Sequence, residues 1–147
     1  MINRDYLGHA SEPTIACVEL GQLKLFNEAI GEIDAVYHDE AAARAAGYRS
    51  ILAPPTFGTC LNELAPRTLP SYEELGLDYE RLLHGEESCI YHRPICAGDT
   101  ITLQTRISDI YEKKNGALDF IVMDTTLTNQ LDELVQEIRT VLLMPGG

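Results

Sequence analysis

From residue 100 to residue 143 the chain is governed by a period of two, and this limits its fold more than any other feature. Thr100 to Ile107 alternates cleanly, with Ile101, Leu103, Thr105 and Ile107 on one side. Leu118 to Thr128 and Leu134 to Leu143 are two more long strand candidates. Asn115-Gly116 is a hairpin signal between two of these strands. Leu131-Asp132-Glu133 makes the next turn, and Glu87 to Pro94 alternates weakly ahead of them. Four long strands in succession, preceded by helices, predict an α+β domain with an antiparallel sheet. A chain of 147 residues with 45% apolar content is enough for one such domain and one core, over 1–147.

The first half supplies the helices. Thr14 to Val18 is β-branched and apolar enough for a short strand. Glu19 to Ile30 reads as a helix, with Leu20, Leu23, Phe26, Asn27 and Ile30 on one face and Gly31 as its stop. Asp39 is an N-cap for an alanine-rich helix over 40–46, and Gly47 closes it. The next segment reads Leu52-Ala53-Pro54-Pro55-Thr56-Phe57. Proline is tolerated in a first helical turn, because its missing N–H would be an orphan there anyway. The helix that follows, Thr56 to Leu64, carries Glu63 as its one charge, with small Gly58 and Thr59 inside. It is expected to lie buried and close under the sheet, which curls round it. Pro66 and Pro70 end it, and Ser71 to Leu83 reads as a polar, acidic connection with a helical turn at Tyr72 to Leu75.

The formal net charge of −12 excludes nucleic acid and anionic membranes as ordinary partners, since both require a basic face. It bears less on small anionic ligands, and its plain consequence is solubility. No apolar stretch approaches the roughly 18–20 residues of a membrane span, and Met1 to Tyr6 has no apolar h-region, so no signal peptide is expected. Cys17, Cys60, Cys89 and Cys96 form no C-x-x-C pair. They are expected as reduced structural thiols in the cytoplasm, or with one of them reactive. The four histidines are scattered, so no metal site is expected. No G-x-G-x-x-G or P-loop suggests a nucleotide.

Several motifs, taken as a set, resemble the MaoC-like dehydratase and enoyl-thioester hydratase superfamily of hotdog folds, and most of all its FAS1-like, N-terminal-half branch. They are Gly31-Glu32-Ile33-Asp34-Ala35-Val36-Tyr37-His38-Asp39, Ala42-x4-Gly47-Tyr48, Leu52-Ala53-Pro54-Pro55-Thr56-Phe57, His84-Gly85-Glu86, and Tyr91-His92-Arg93-Pro94-Ile95-x-Ala97-Gly98-Asp99. The resemblance implies a single hotdog domain: a long curved antiparallel sheet wrapped around a central helix. It also implies a dimer, because a lone hotdog sheet leaves an edge exposed.

Enoyl-thioester hydration needs an acid/base pair to handle water and an N–H donor for the thioester oxygen. Active members resemble one another in a Gly-Asp-x-Asn-Pro-x-His motif, whose Asp and His hold the water, and in an Ala-His-Gly that supplies a backbone N–H. Here Glu32 falls at the Asp, Tyr37 at the His, Pro54 at the second histidine and Pro55 at the glycine. Pro55 has no N–H to give. The resemblance therefore implies a chain-binding, non-catalytic half of an (R)-specific 3-hydroxyacyl-thioester dehydratase or enoyl-CoA hydratase. A separate hotdog polypeptide is expected to supply Asp and His, in a heterodimer. Two alternatives stand beside it. One is an autonomous hydratase using Glu32 with His38 or Tyr37. The other is a non-enzymatic, acyl-thioester-binding homodimer. No cofactor is implied; coenzyme A or acyl carrier protein is the carrier of the substrate.

Residue by residue, Pro54, Pro55, Thr56, Phe57, His84, Tyr91 and Arg93 are the candidate substrate-binding residues, and Glu32, Tyr37 and His38 the candidate catalytic ones. Each has an ordinary reading too. His38 faces solvent near Asp39; His84 is a turn histidine; Phe57, Tyr37 and Tyr91 are core aromatics. Arg93 meets either coenzyme A phosphates or an acidic carrier surface, or else it pairs with a local carboxylate. Arg44 and Arg49 have similar alternatives.

Overall fold

The computed structural model describes residues 1–66 and 68–146. The strands are β1 (Thr14–Cys17), β2 (Leu83–Tyr91), β3 (Thr100–Lys113), β4 (Leu118–Thr128) and β5 (Leu134–Pro145). The helices are α1 (Leu20–Ile30), α2 (Glu40–Ala45) and α3 (Phe57–Leu64). One antiparallel sheet has the order β1-β3-β4-β5-β2. This is the α+β architecture the alternation predicts. β3 and β5 run further than the sequence suggests, because their far ends lose the alternation but keep the ladder, while β2 begins four residues earlier than Glu87 and ends at Tyr91, short of Pro94. The Asn115-Gly116 signal marks a turn over 114–117 in which Lys114, Asn115 and Gly116 all have positive φ, so the loop is wider than a two-residue hairpin.

The core has two centres. Under α3, Phe57 and Leu61 meet Ile101, Leu103, Leu127, Val135 and Ile138 from the sheet and Leu23 from α1. Further along the same face, Ile107, Ile121, Met123, Leu142 and Met144 meet Ile2, Leu75 and Leu77. The connection after α3 is thus more than a polar loop. Its turn is present, with Leu75 N–H on the Ser71 carbonyl at 3.0 Å, and it closes the far end of the core.

α1 ends on Gly31 in the left-handed region (φ 72°), and Asp39 Oδ1 accepts from Ala42 N–H at 2.7 Å to start α2. α3 lies so close to the sheet that a Cβ on Gly58 would fall 1.9 Å from Gln136 Oε1 and 2.7 Å from its Cδ. Two effects therefore oppose each other in Gly58→Ala. Helix propensity favours alanine by about 1 kcal/mol, and overpacking costs roughly 1–3 kcal/mol. The expected net result is destabilisation in urea unfolding, removed when Gln136→Ala is added in a double-mutant cycle. A stabilised single variant would mean the contact is slack.

On the outer face, Asp124 and Arg139 are register partners in a two-bond ion pair at 2.7 and 2.9 Å. The hydrogen bond from Arg139 holds the Asp124 carboxyl below its ordinary range, against a smaller opposing effect of burial. The folded chain thus takes up this proton less readily than the unfolded one. The pair's contribution is complete above about pH 4 and is lost as pH falls through the lowered folded value. Asp124→Asn should flatten that part of the acid limb of the stability profile, measured by urea midpoints; an unchanged limb would show the pair to be energetically silent.

Candidate functional site

Two cavities flank α3. The first, about 320 Å³, lies at its N-terminal end. Its walls come from the lead-in to α3 (Leu52 to Pro55), from Tyr37 and Tyr48, and from the end of β2 and the loop after it (Tyr91 to Ile95), with Gln136 among the lining residues. The loop beyond β2 is a clamp. Leu52 and Cys96 form an isolated bridge, and Ala53 N–H donates to the Ile95 carbonyl at 2.8 Å. Asp99, 1% exposed, fastens the clamp. Its carboxylate accepts from Cys96 N–H at 2.9 Å, from Gln130 at 3.1 Å, and from Arg49 at 2.7 and 2.8 Å. The Ala97-Gly98-Asp99 motif is therefore architectural here, and Arg49 belongs to it.

This approach to α3 offers an incoming oxygen no backbone donor over three residues. Ala53 N–H is bound to Ile95, and Pro54 and Pro55 have none. The Pro54 carbonyl accepts from Phe57 N–H at 2.9 Å, so the two prolines shape the first turn. The acid/base candidates do not meet either. Glu32 Oε1 accepts from the N–H groups of Ile33 and Asp34 at 2.9 and 3.0 Å, tying its carboxylate into its own turn. His38 Nε2 lies 2.6 Å from the Glu32 carbonyl oxygen, an acceptor, so it carries the proton there. His38 and Glu32 are thus neighbours through the backbone and not through the carboxylate. Tyr37 does face the cavity. Burial, and then the charge of Glu32, pushes its phenol above the ordinary range. Through neutral pH it can donate a proton in a hydrogen bond but cannot take one from water.

The other lining charges are already engaged. His92 Nε2 is 2.7 Å from Glu137 Oε2, and Arg93 Nε is 3.1 Å from Glu133 Oε1. Arg44 pairs with Glu40 within α2, so Arg44 and Arg49 form no shared basic rim. Tyr91 is raised chiefly by burial and then by its hydrogen bond to Cys89. The four cysteines are free thiols, and burial raises Cys60.

The second cavity, about 360 Å³, opens beside the C-terminal half of α3. His84 belongs here, away from Pro54, Pro55, Tyr91 and Arg93. The His84-Gly85-Glu86 motif is a β-bulge. His84 pairs with Leu142 and Glu87 with Thr140, so the bulge turns His84 and Glu87 to one face. A side chain at Gly85 would strike Leu143 Cδ2 at 2.5 Å. His84 Nε2 stands 3.3 Å from Glu87 Oε2, and Thr59 Oγ1 donates to Glu87 Oε1 at 2.7 Å.

Two expected binding residues fall elsewhere. Phe57 is 0% exposed and packs edge-on against Phe26, 5.3 Å between centroids, because the first turn of α3 points it into the core. Thr56 is exposed at the helix cap and lines neither cavity. Gln136, Tyr48, Thr59 and Glu87 are not among the site residues the sequence suggests, although Tyr48 lies in one of the motifs. Gln136 had a signal: it shares the alternation of Ile138 and Thr140, a carboxamide on the buried register of a strand.

Comparison with known proteins agrees with this fold. The family model for the FAS1-like dehydratase domain region matches residues 5–138. A UPF0336 protein of Saccharopolyspora erythraea is 34% identical over 147 residues, 99% of this chain and 92% of that one. One from Thermobifida fusca is 35% identical over 146 residues, 99% and 95%. Among solved structures, the C-terminally truncated HadBC (3R-hydroxyacyl-ACP dehydratase) complex of Mycobacterium tuberculosis superposes with a TM-score of 0.80 at 26% identity, covering 95% of this chain and 97% of that one. The unliganded R-hydratase PhaJ1 of Pseudomonas aeruginosa shares the fold at 0.71 and 16% identity, covering 96% and 83%. A sheet in this order around α3, with a family match over nearly the whole length, places the chain in the FAS1-like dehydratase-domain family of hotdog-fold, MaoC-like dehydratases and hydratases.

Proposed function

We propose that this chain is the chain-binding, non-catalytic half of an (R)-specific 3-hydroxyacyl-thioester dehydratase or enoyl-thioester hydratase, and that a partner hotdog chain supplies the acid and base. The approach to α3 carries the reading: over Ala53-Pro54-Pro55 no amide hydrogen is available to an oxyanion. The Glu32 carboxylate and the His38 ring, each turned to other work, point the same way. The substrate is an acyl thioester of coenzyme A or acyl carrier protein, with no resident cofactor. Its acyl chain occupies the cavity beside α3, whose mouth is bordered by β2.

β2 is also where a partner fits. It is an edge strand with an unpaired side, and eight of its nine residues are exposed, including Leu83, Ile90 and Tyr91. Such an edge is ordinarily shortened, charged or covered. A second hotdog sheet added there covers it and faces the first cavity. The HadBC complex and the ChsH1-ChsH2 complex of Mycobacterium tuberculosis are both assemblies by their descriptions, and the second shares this fold at a TM-score of 0.71 and 24% identity. The same edge also favours the homodimeric acyl-thioester binder. Co-expression with a hotdog chain that carries the intact Asp and His, followed by a hydration assay on crotonyl-CoA and longer enoyl-CoAs, separates the two. Turnover in the pair supports the heteromeric enzyme; its absence, with a stable homodimer, supports the binder.

A further inference from the structure

The floor of the cavity beside α3 has an unusual composition for a hydrocarbon tunnel. Three neighbouring strands each place a threonine between two buried aliphatic residues of the same face: Leu103-Thr105-Ile107, Met123-Thr125-Leu127 and Ile138-Thr140-Leu142, counting alternate positions. The register sets Thr105 and Thr125 side by side and Thr140 on the diagonal, since Thr125 is itself opposite Ile138. Thr105 pairs with Thr125, and Thr140 pairs with Met123 on one flank and Glu87 on the other. Residues directly opposite share a face. Ser11 extends the row at one end, where its Oγ accepts from Thr105 N–H at 3.0 Å. Glu87, with Thr59 and His84, closes it at the other. A polar belt thus crosses the sheet between two hydrophobic centres.

The belt has hydrogens to give. Thr105 and Thr125 share one hydrogen bond at 2.8 Å, which uses one of their two hydroxyl hydrogens. Ser11 Oγ is an acceptor in its bond and keeps its own hydrogen. Thr140, half-buried, makes no side-chain hydrogen bond among the described residues. A plain alkyl chain drawn over this floor would strip water from these groups and return nothing. An oxygen on the chain would replace that water. A carboxylate is disfavoured, since Glu87 lines the same cavity and would repel it.

We infer that the acyl group bound here carries an uncharged oxygen, as a hydroxyl, keto or ether group, on its distal part, and that Thr140, Thr125 and Ser11 select for it. This rests on the reading that the cavity beside α3 holds the acyl chain. Thr140→Val is the informative change: it keeps the shape and removes no bond within the protein. The probes are decanoyl-CoA and a set of hydroxydecanoyl-CoAs with the hydroxyl at successive carbons beyond the fourth, titrated calorimetrically into the purified chain. One or more hydroxylated isomers should bind about tenfold tighter than decanoyl-CoA, the size of one hydrogen bond. Thr140→Val should bring that preference to within about twofold, Thr125→Val should reduce it, and Thr140→Ser should restore it. If decanoyl-CoA binds as tightly as every isomer, or the preference survives Thr140→Val, the selectivity is overturned while the chain-binding reading stands. If neither class of probe binds, the chain-binding reading falls, and the selectivity with it.

Discussion

Ile90→Asp should leave a folded monomer. In the isolated chain Ile90 is 58% exposed on an uncovered edge, so the substitution disturbs no buried core contact. In an assembly that adds a second sheet to β2, the same side chain is buried at the seam. There a carboxylate is desolvated directly opposite Glu137, its register partner on β5. Truncating a central anchor costs about 2 kcal/mol or more, and a buried unpaired charge adds to it. Assembly should weaken by roughly two to three orders of magnitude, with the melting temperature of the monomer little changed. Sedimentation velocity across a dilution series reads this directly. An unaltered assembly would move the interface to another face of the sheet.

The larger expected effect is chemical. The purified chain alone should hydrate enoyl-CoA at least about 10⁴-fold more slowly than the assembled pair. One missing oxyanion donor is worth on the order of 10²–10³. Missing general acid–base catalysis is worth another 10²–10⁴ or so. Both are missing beside the same cavity: the backbone donor because Pro54 and Pro55 occupy the approach to α3, the base because Glu32 caps its own turn and Tyr37 holds its proton. Within the pair, Glu32→Gln and His38→Ala should therefore leave kcat within about twofold, well short of the loss that removing a true acid–base group causes. A hundredfold loss in either would return that residue to the chemistry.

Much of this was legible in the sequence, and for physical reasons. Alternation over Thr100 to Ile107 fixes which face of β3 is buried, and Gly31, Asp39 and Gly47 are terminators whose chemistry is local. Pro55 is legible in a stronger sense, because a missing N–H cannot be supplied by any fold. What stayed hidden depends on direction and register. Phe57 resembles a lining residue by its motif, but the helix phase turns it into the core. The motifs group His84 with Tyr91, yet the bulge at Gly85 sends it to the other cavity. The threonine belt was invisible because each threonine, alone, is an ordinary strand residue. Only the pairing of β3, β4 and β5 shows that they share one cavity floor.

The central claim, that this cavity borrows its reactivity, is tested most directly by titrating a fixed amount of the chain with a hotdog partner bearing Asp and His while following crotonyl-CoA hydration. The account predicts no turnover above the uncatalysed rate at zero partner, and a rise to a plateau at equimolar partner. Turnover that is already full without partner, and that disappears in Glu32→Gln, would contradict it.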